Sequence, residues 1–446
     1  MPNSREAKNG SVAEPARRDF SHAWRAFKHR NFRLFFTGQS ISLVGSWMTR
    51  LATAWLVYRL TKSALLLGIV GFTGQIPSFF LSPLAGVIVD RFDRRRVLII
   101  TQVLAMVQSL ALAGLTLTHR ITIHEILVLS ILQGVINAFD MPARQSLTVK
   151  MVEGKEDLQN AIALNSSMVN ASRLVGPSLA GLLIAATNEG WCFAVDGVSF
   201  IPVIVSLLLM RIPGSKEKHA GLSMVGQLRE GWSYVAKSAP IHTILLLFAL
   251  LSLMGWPFMV LMPIFAAEVL HGGPHTLGFL MAAVGVGALS CALAMVMRRS
   301  VLGLTKMLLI GAAAFGVGLV LFGLSRTIWL SIPLMLLTGF GMEQGLMACN
   351  TIVQTLVDEK MRGRVMSYYT MAFVGMVPFG NLLAGVMAHS FGAPRTLVIN
   401  GAVCILGALW FWTRLKTIRA HMRPIYVRLG IVPQSSMMDE EGAQGV

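Results

Sequence analysis

Gly86-Val-Ile-Val-Asp90-Arg91-Phe-Asp93-Arg94-Arg95-Arg96 is a short charged segment between two apolar runs, each long enough to cross a bilayer. Two acids and four arginines between two such runs form a cationic connection held at one membrane surface. Gly86 lacks a side chain and permits close approach of a second helix. The segment predicts a multi-pass membrane protein rather than a soluble enzyme.

The rest of the chain agrees with that reading. Apolar residues make up 54% of it, charged residues only 13%, and the mean hydropathy is +0.64, values foreign to a soluble globular domain. Apolar stretches recur from 34–59 to 393–414, about twelve in all, each close to the roughly 20 residues a helix needs to cross a bilayer. They are continuous runs of Leu, Ile, Val, Ala, Gly and Met, without the alternation of a membrane β-barrel. The expected fold class is an all-α membrane protein of about twelve transmembrane helices.

Lys and Arg collect in cytoplasmic connections, and here they fall almost entirely in alternate ones. The opposite side has only Arg59, Lys62, Arg120, Arg326 and Arg395, while Arg50 and Arg173 lie inside spans. Both termini are therefore expected in the cytoplasm of a cell whose inner (plasma) membrane holds the protein. The same distribution accounts for the net charge of +17. Its partner is expected to be anionic lipid headgroups rather than nucleic acid, because no basic patch interleaved with exposed aromatics occurs.

The first apolar run follows a polar, basic segment and lacks a small-residue cleavage pattern, so no cleavable leader is expected. Cys192, Cys291, Cys349 and Cys404 stand singly in apolar stretches, predicting neither a disulfide framework nor a metal site. No catalytic residue, metal or cofactor is expected.

Comparison of the halves at an offset of about 205 to 210 residues gives matches in consistent order, the trace of an internal repeat. Ser42-Leu43-Val44-Gly45 corresponds to Ser252-Leu253-Met254-Gly255, and Leu67-Gly68 to Leu277-Gly278. Gly176-Pro177-Ser178-Leu179-Ala180-Gly181 corresponds to Gly380-Asn381-Leu382-Leu383-Ala384-Gly385. The predicted organisation is a cytoplasmic basic tail (1–30), an N-terminal six-helix bundle (31–212), a cytoplasmic linker (213–240), a C-terminal six-helix bundle (241–414) and a cytoplasmic tail (415–446). Within the linker Leu222, Val225, Leu228, Trp232 and Val235 recur at helical spacing, which predicts a helix lying in the membrane interface.

These features, with Arg30-Asn31-Phe32-Arg33-Leu34-Phe35, Asp140-Met141-Pro142-Ala143-Arg144-Gln145, Glu230-Gly231-Trp232-Ser233-Tyr234-Val235 and Arg362-Gly363-Arg364-Val365-Met366-Ser367, resemble the major facilitator superfamily. The similar branch contains the enterobactin exporter and macrolide-type efflux proteins. The resemblance implies a major facilitator fold of two pseudo-symmetric six-helix bundles and assigns the opening segment to a gating loop of Gly86, Asp90, Arg91, Arg94 and Arg95. Asp93 stands where that loop usually has its second glycine. It also identifies Ser172, Gly176, Pro177, Ala180 and Gly181 in span five as an exporter-like row of small residues. Close helix packing explains such a row equally well. Proton-coupled exporters of this kind carry an arginine three residues before a Gln-Gly pair in span four, whereas Ser130 precedes Gln133-Gly134 here.

Ionisable groups inside a bilayer are costly and mark function or a buried ion pair. Arg50, Arg173 and Glu343 are such groups, the arginines suited to an anionic substrate and Glu343 to a proton. Asp196 is expected to have a local structural partner, and Asp140 to pair with Arg144 at the i, i+4 spacing. Gln39, Asn137, Trp256 and Tyr368, together with Trp47, Gln75, Asn165, Tyr369 and Asn381, are the other polar and aromatic candidates for the path. The function expected is secondary active export of a small amphiphilic substrate, siderophore or drug-like, by a monomer using protons as coupling ion. Uptake of a siderophore or nutrient, lysophospholipid flipping, and a non-transporting sensor are the alternatives. If the gating assignment is correct, Asp90→Asn leaves expression and membrane insertion intact but sharply slows transport, and normal flux in the inserted variant would remove the assignment.

Overall fold

The computed structural model describes residues 25–210, 224–298 and 300–430, and among these no strand occurs. The helices are α1 (Arg30–Thr61), α2 (Ala64–Thr73), α3 (Ile76–Arg91), α4 (Arg94–Leu117), α5 (Ile123–Lys150), α6 (Lys155–Ala186), α7 (Glu189–Leu209) and α8 (Met224–Lys237). They continue as α9 (Ala239–Leu250), α10 (Phe258–Ile264), α11 (Pro274–Val296), α12 (Leu304–Leu324), α13 (Ile328–Leu356), α14 (Arg362–Phe373), α15 (Val377–Phe391) and α16 (Ala393–Arg428). Eleven helical stretches are long and apolar enough to cross a membrane. The twelfth crossing is α1, which has 32 residues but loses hydropathy to Gln39, Ser42, Ser46, Thr49 and Arg50.

Three crossings are built from more than one helix, and proline explains the breaks. Pro77 lacks the N–H that would bond the Thr73 carbonyl, and span two divides between α2 and α3 at Gly74-Gln75. Pro378 does the same to Val374, and span eleven divides between α14 and α15. Span seven runs through α9 and α10 with π-helical turns at Leu251–Gly255 and Phe265–Val269, and Pro257 and Pro263 lie beside them. Wide turns of this kind mark sites where a helix re-aims its side chains.

Let the terminal face be the end of the bundle at which the described chain begins and ends, and the far face the other. At the far face the halves meet backbone to backbone. A β-carbon added at Gly181 would lie 2.8 Å from the Gly278 Cα, and one at Gly68 2.8 Å from the Gly385 Cα, closer than any side chain tolerates. These seams join α6 to α11 and α2 to α15. Tyr58 Oη donates to Glu268 across the same end at 2.9 Å, and Asn381 Nδ2 donates to the Gly71 carbonyl at 3.3 Å. The repeat explains the geometry, because Gly68 corresponds to Gly278 and Gly181 to Gly385, so the two seams are copies of one another. Gly176 and Gly380 also correspond. Gly176 packs on Trp47 and Val44 of α1, and Gly380 on Leu253 and Pro257 of span seven.

The terminal face differs. A β-carbon at Gly86 or at Gly363 would meet nothing within 4 Å, α3 packs on α5, and α14 packs on α8 and α9. The close approach expected at Gly86 is therefore absent from this conformation, in which the halves are sealed at the far face and parted at the terminal one. The charged loop is organised within its own half. Asp93 caps α4, its carboxylate accepting from the Arg95 and Arg96 amides at 2.9 and 3.3 Å, which is why an acid replaces the usual glycine. Arg95 donates to the Leu207 and Leu208 carbonyls at 2.6 and 2.7 Å, closing the C-terminus of α7. The Asp90 and Arg91 side chains lie outside the described residues.

Each half also fastens the terminal-face start of its span five or eleven. Arg25 pairs with Glu156 at 2.7 Å and His29 with Asp157 at 3.0 Å. In the other half Glu230 of α8 pairs with Arg364 at 2.7 Å. Tyr234 donates to Asp358 at 3.1 Å, and Asp358 also meets Arg428 at 3.2 Å. Burial holds the Tyr234 phenol above its ordinary pKa, keeping it a donor. The last contact exists because α16 runs 36 residues, roughly 54 Å at 1.5 Å each, well past the apolar pattern that ends near 414.

Overpacking a backbone contact costs about 1–3 kcal/mol. Gly181→Val is expected to lower the thermal midpoint of the purified protein, whereas Gly86→Ala, with open space around it, leaves the midpoint unchanged or raises it. A midpoint unaffected by Gly181→Val would remove the seam.

Candidate functional site

At mid-depth, Arg173 of α6 reaches across to Glu343 of α13, Nη1 to Oε2 at 3.5 Å. Both side chains are nearly inaccessible, at 9% and 6% exposure, so the two ionisable groups flagged separately in the sequence form one buried pair between the halves. The guanidinium carbon lies 5.6 Å from the Trp47 ring and 5.2 Å from the Trp256 ring, one tryptophan from each half. Such cation–π contacts strengthen when desolvated. Trp256 directly follows the first π-helical turn of span seven, and Trp47 is wedged against Gly176. The small-residue row of span five thus lets α1 bring its indole to the arginine. Ser172 and Ala180 of that row are buried, and the Pro177 carbonyl would lie 3.0 Å from a β-carbon on Gly278.

Arg50 sits three residues beyond Trp47, its guanidinium 4.7 Å from the same ring. It projects from the α1 face that carries Gln39 and Ser46, eleven and four residues earlier, and that face is directed into the N-terminal half. There Gln39, Gln102, Gln133, Asn137, Asp140 and Arg144 line a polar cavity. Asp140 accepts from Gln102 at 2.6 Å and Thr101 at 3.0 Å and is bonded to Arg144, the i, i+4 pairing expected. Asn137 accepts from Gln133 at 3.1 Å. The Gln39 and Gln102 carbonyl oxygens and the Arg144 Nε have no protein partner. A polar hollow with three unsatisfied groups is suited to bound water. Asp196 has the local partners expected of it, accepting from Thr49 and Ser109 at 2.8 Å each and from Ser46 at 3.4 Å.

On the other side of Trp256 the surroundings are apolar. Phe248, Leu251, Ala312, Phe315, Met342 and Phe373 line a hollow in the C-terminal half. Phe373 meets Trp256 edge to face at 4.7 Å, and Tyr369 stacks on Phe248 at 5.1 Å. Tyr368 is placed elsewhere, 5.7 Å from Trp232 of the linker helix near the terminal face. Sequence reasoning did not find Gln102, Thr101 or Phe373. Phe373 had no signal, because an aromatic in an apolar run reads as core. Gln102 and Thr101 had one, as polar neighbours inside an otherwise apolar span. Among the described residues no group of His, Cys, Asp and Glu could hold a metal ion.

A buried pair that loses one partner leaves an uncompensated charge at a cost of about 3–5 kcal/mol, while exchanging both for apolar groups is often neutral. Arg173→Met alone is expected to destabilise the protein by that amount in thermal unfolding, and Arg173→Met with Glu343→Leu to recover most of it. Additive losses would mean that the two groups are not coupled.

With this geometry in view, likeness to known proteins is informative. A family model described as transmembrane secretion effector matches residues 21–426. The staphyloferrin A transporter of Staphylococcus aureus is 26% identical over 391 residues, covering 86% of this chain and 96% of that protein. Macrolide efflux protein A of Streptococcus pyogenes is 22% identical with the same coverage, and the multidrug efflux pump Tap of Mycolicibacterium fortuitum is 24% identical over 85% of this chain and 95% of its own length. Among solved structures, a bacterial homologue of the lysosomal transporter Spinster, inward-facing and unoccupied, superposes with a TM-score of 0.68 at 11% identity over 89% of this chain and 98% of that one. The nucleoside transporter NupG gives 0.65 at 15% over 87% and 98%.

Proposed function

The chain belongs to the transmembrane secretion effector family of the major facilitator superfamily, and we propose that it exports a small amphiphilic molecule, siderophore-like or drug-like, across the inner (plasma) membrane using the proton gradient. It works as a single chain without a cofactor, organised as two six-helix bundles on either side of the linker at 213–240. The positive-inside distribution supports a cytoplasmic terminal face and cytoplasmic termini. The observation that carries the reading is the Arg173–Glu343 pair, buried between halves that are joined at the far face and parted at the terminal one.

A substrate entering from the cytoplasm reaches Trp47 and Trp256 while the glycine seams exclude the far side. Rocking of one half against the other then exchanges the closed face for the open one. Glu343 is the group through which a proton acts, because neutralising it removes the attraction to Arg173 that spans the two halves. Asp90 and the arginines around it serve the opposite closure, when the terminal face is shut. Siderophore or efflux substrates are suggested by the names of the relatives, and the apolar hollow beside Trp256 suits the apolar part of such a molecule.

The test is time-resolved retention of amphiphilic dyes, antibiotics and siderophores in cells with and without the protein, repeated with a protonophore. Lower retention that the protonophore abolishes is expected, and Glu343→Gln, inserted normally, loses the protonophore-sensitive part. Higher retention in cells that contain the protein would establish uptake and overturn the direction proposed.

A further inference from the structure

We propose that Arg50, Trp47 and Arg173 form an anion subsite, so that the transported molecule carries a carboxylate or comparable acidic head beside its apolar body. The inference rests on the transport reading above and adds the charge class of the substrate.

Arg50 is exposed although it lies within a membrane span, on the inward face of α1 shared with Gln39 and Ser46. The side chain is therefore reached from open space beside Trp47. Among the described residues its only direct contact of note is the face of Trp47, and no carboxylate pairs with it. Asp196, bonded to the adjacent Thr49, has its oxygens taken by the hydroxyls of Ser46, Thr49 and Ser109, so it offers Arg50 no acceptor.

Arg173 is incomplete too. Nη1 faces Glu343, whereas Nε is buried and has no hydrogen-bond partner in a residue that is 8% exposed. An unsatisfied N–H of a buried cation is expensive, so Arg173 keeps donor capacity that Glu343 does not fill. Two guanidinium groups attend one indole, 4.7 and 5.6 Å from it, and present N–H donors in excess of acceptors. A planar oxyanion matches such a fork, whereas an ammonium would face two cations and find only Glu343, already engaged. The apolar hollow of Phe248, Phe315 and Phe373 on the other side of Trp256 receives the opposite pole. The acid is thus read by the N-terminal half and the apolar body by the C-terminal half. An inside-negative potential drives an anion outward, so the electrical part of the proton-motive force assists its export.

The experiment uses three probes with one apolar body: pyrenebutyrate, its methyl ester and pyrenemethylamine. Binding to the purified full-length protein is followed by energy transfer from tryptophan to pyrene, and transport is measured separately in energised vesicles. Pyrenebutyrate is expected to bind at least about tenfold more tightly than the amine, the scale of one charge-assisted hydrogen bond. Arg50→Gln erases the advantage of the acid over the ester, and Arg50→Lys, which keeps the charge, restores most of it. Equal affinity for the three probes, or an acid preference that survives Arg50→Gln in a folded variant, would overturn the subsite. Selective binding of the acid without movement of any probe would uphold the subsite and count against the transport reading instead.

Discussion

Where Gly181 meets Gly278 and Gly68 meets Gly385, two helix backbones touch with no room for a methyl group between them. That contact is geometrically possible only because both partners lack a β-carbon, and much else depends on it. It draws α6 against α11 and α2 against α15, brings the Tyr58 hydroxyl to Glu268 and closes the far face. The two halves are joined at this end and parted at the other. Gly86 and Gly363 are the mark of that separation, small residues with nothing near them.

The ion pair sits at the depth where the seams give way to the opening. A buried salt bridge contributes little net stability, since desolvation offsets most of its Coulomb energy. On the transport reading proposed above, the same balance makes it a sensitive switch, because loss of either charge leaves the other with the full desolvation penalty. Its position between halves, with a tryptophan of each half against Arg173, means that its making and breaking bear on their relative position rather than on the integrity of either bundle. The polar cavity around Asp140 belongs to one half alone and moves with it.

Much of this was legible in the sequence. The apolar stretches gave the crossings, and the repeat relates the two seams, since the contact of Gly181 with Gly278 is the copy of the contact of Gly385 with Gly68. Arg173 and Glu343 were recognisable because an ionisable residue in a bilayer needs a reason. That they answer each other was not legible, because their separation of 170 residues leaves no local pattern. The role of Asp93 was equally hidden. As a departure from a loop pattern it has no evident purpose, and only the α4 amides close to its carboxylate supply one. Arg95 resembles a gating residue in a linear reading, yet in this conformation it caps α7. Tyr368 was misleading for a related reason: a tyrosine near the end of a span is drawn either to the path or to an interfacial helix, and the linker helix takes it. The reach of α16 to Arg428 escaped because a helix leaving the membrane loses its apolar signature while keeping its hydrogen bonds.

The central claim is that the two halves exchange closure between the faces about the seams and the buried pair. The direct measurement is the distribution of distances between spin labels on the far-face ends of α6 and α11, at Thr187 and His275. The four native cysteines are buried and interfere little with labelling. The account predicts a short distance at neutral pH in the unliganded protein and a second, longer population on acidification or with Glu343→Gln. A single unchanged distance under all these conditions, in protein that transports, would contradict it.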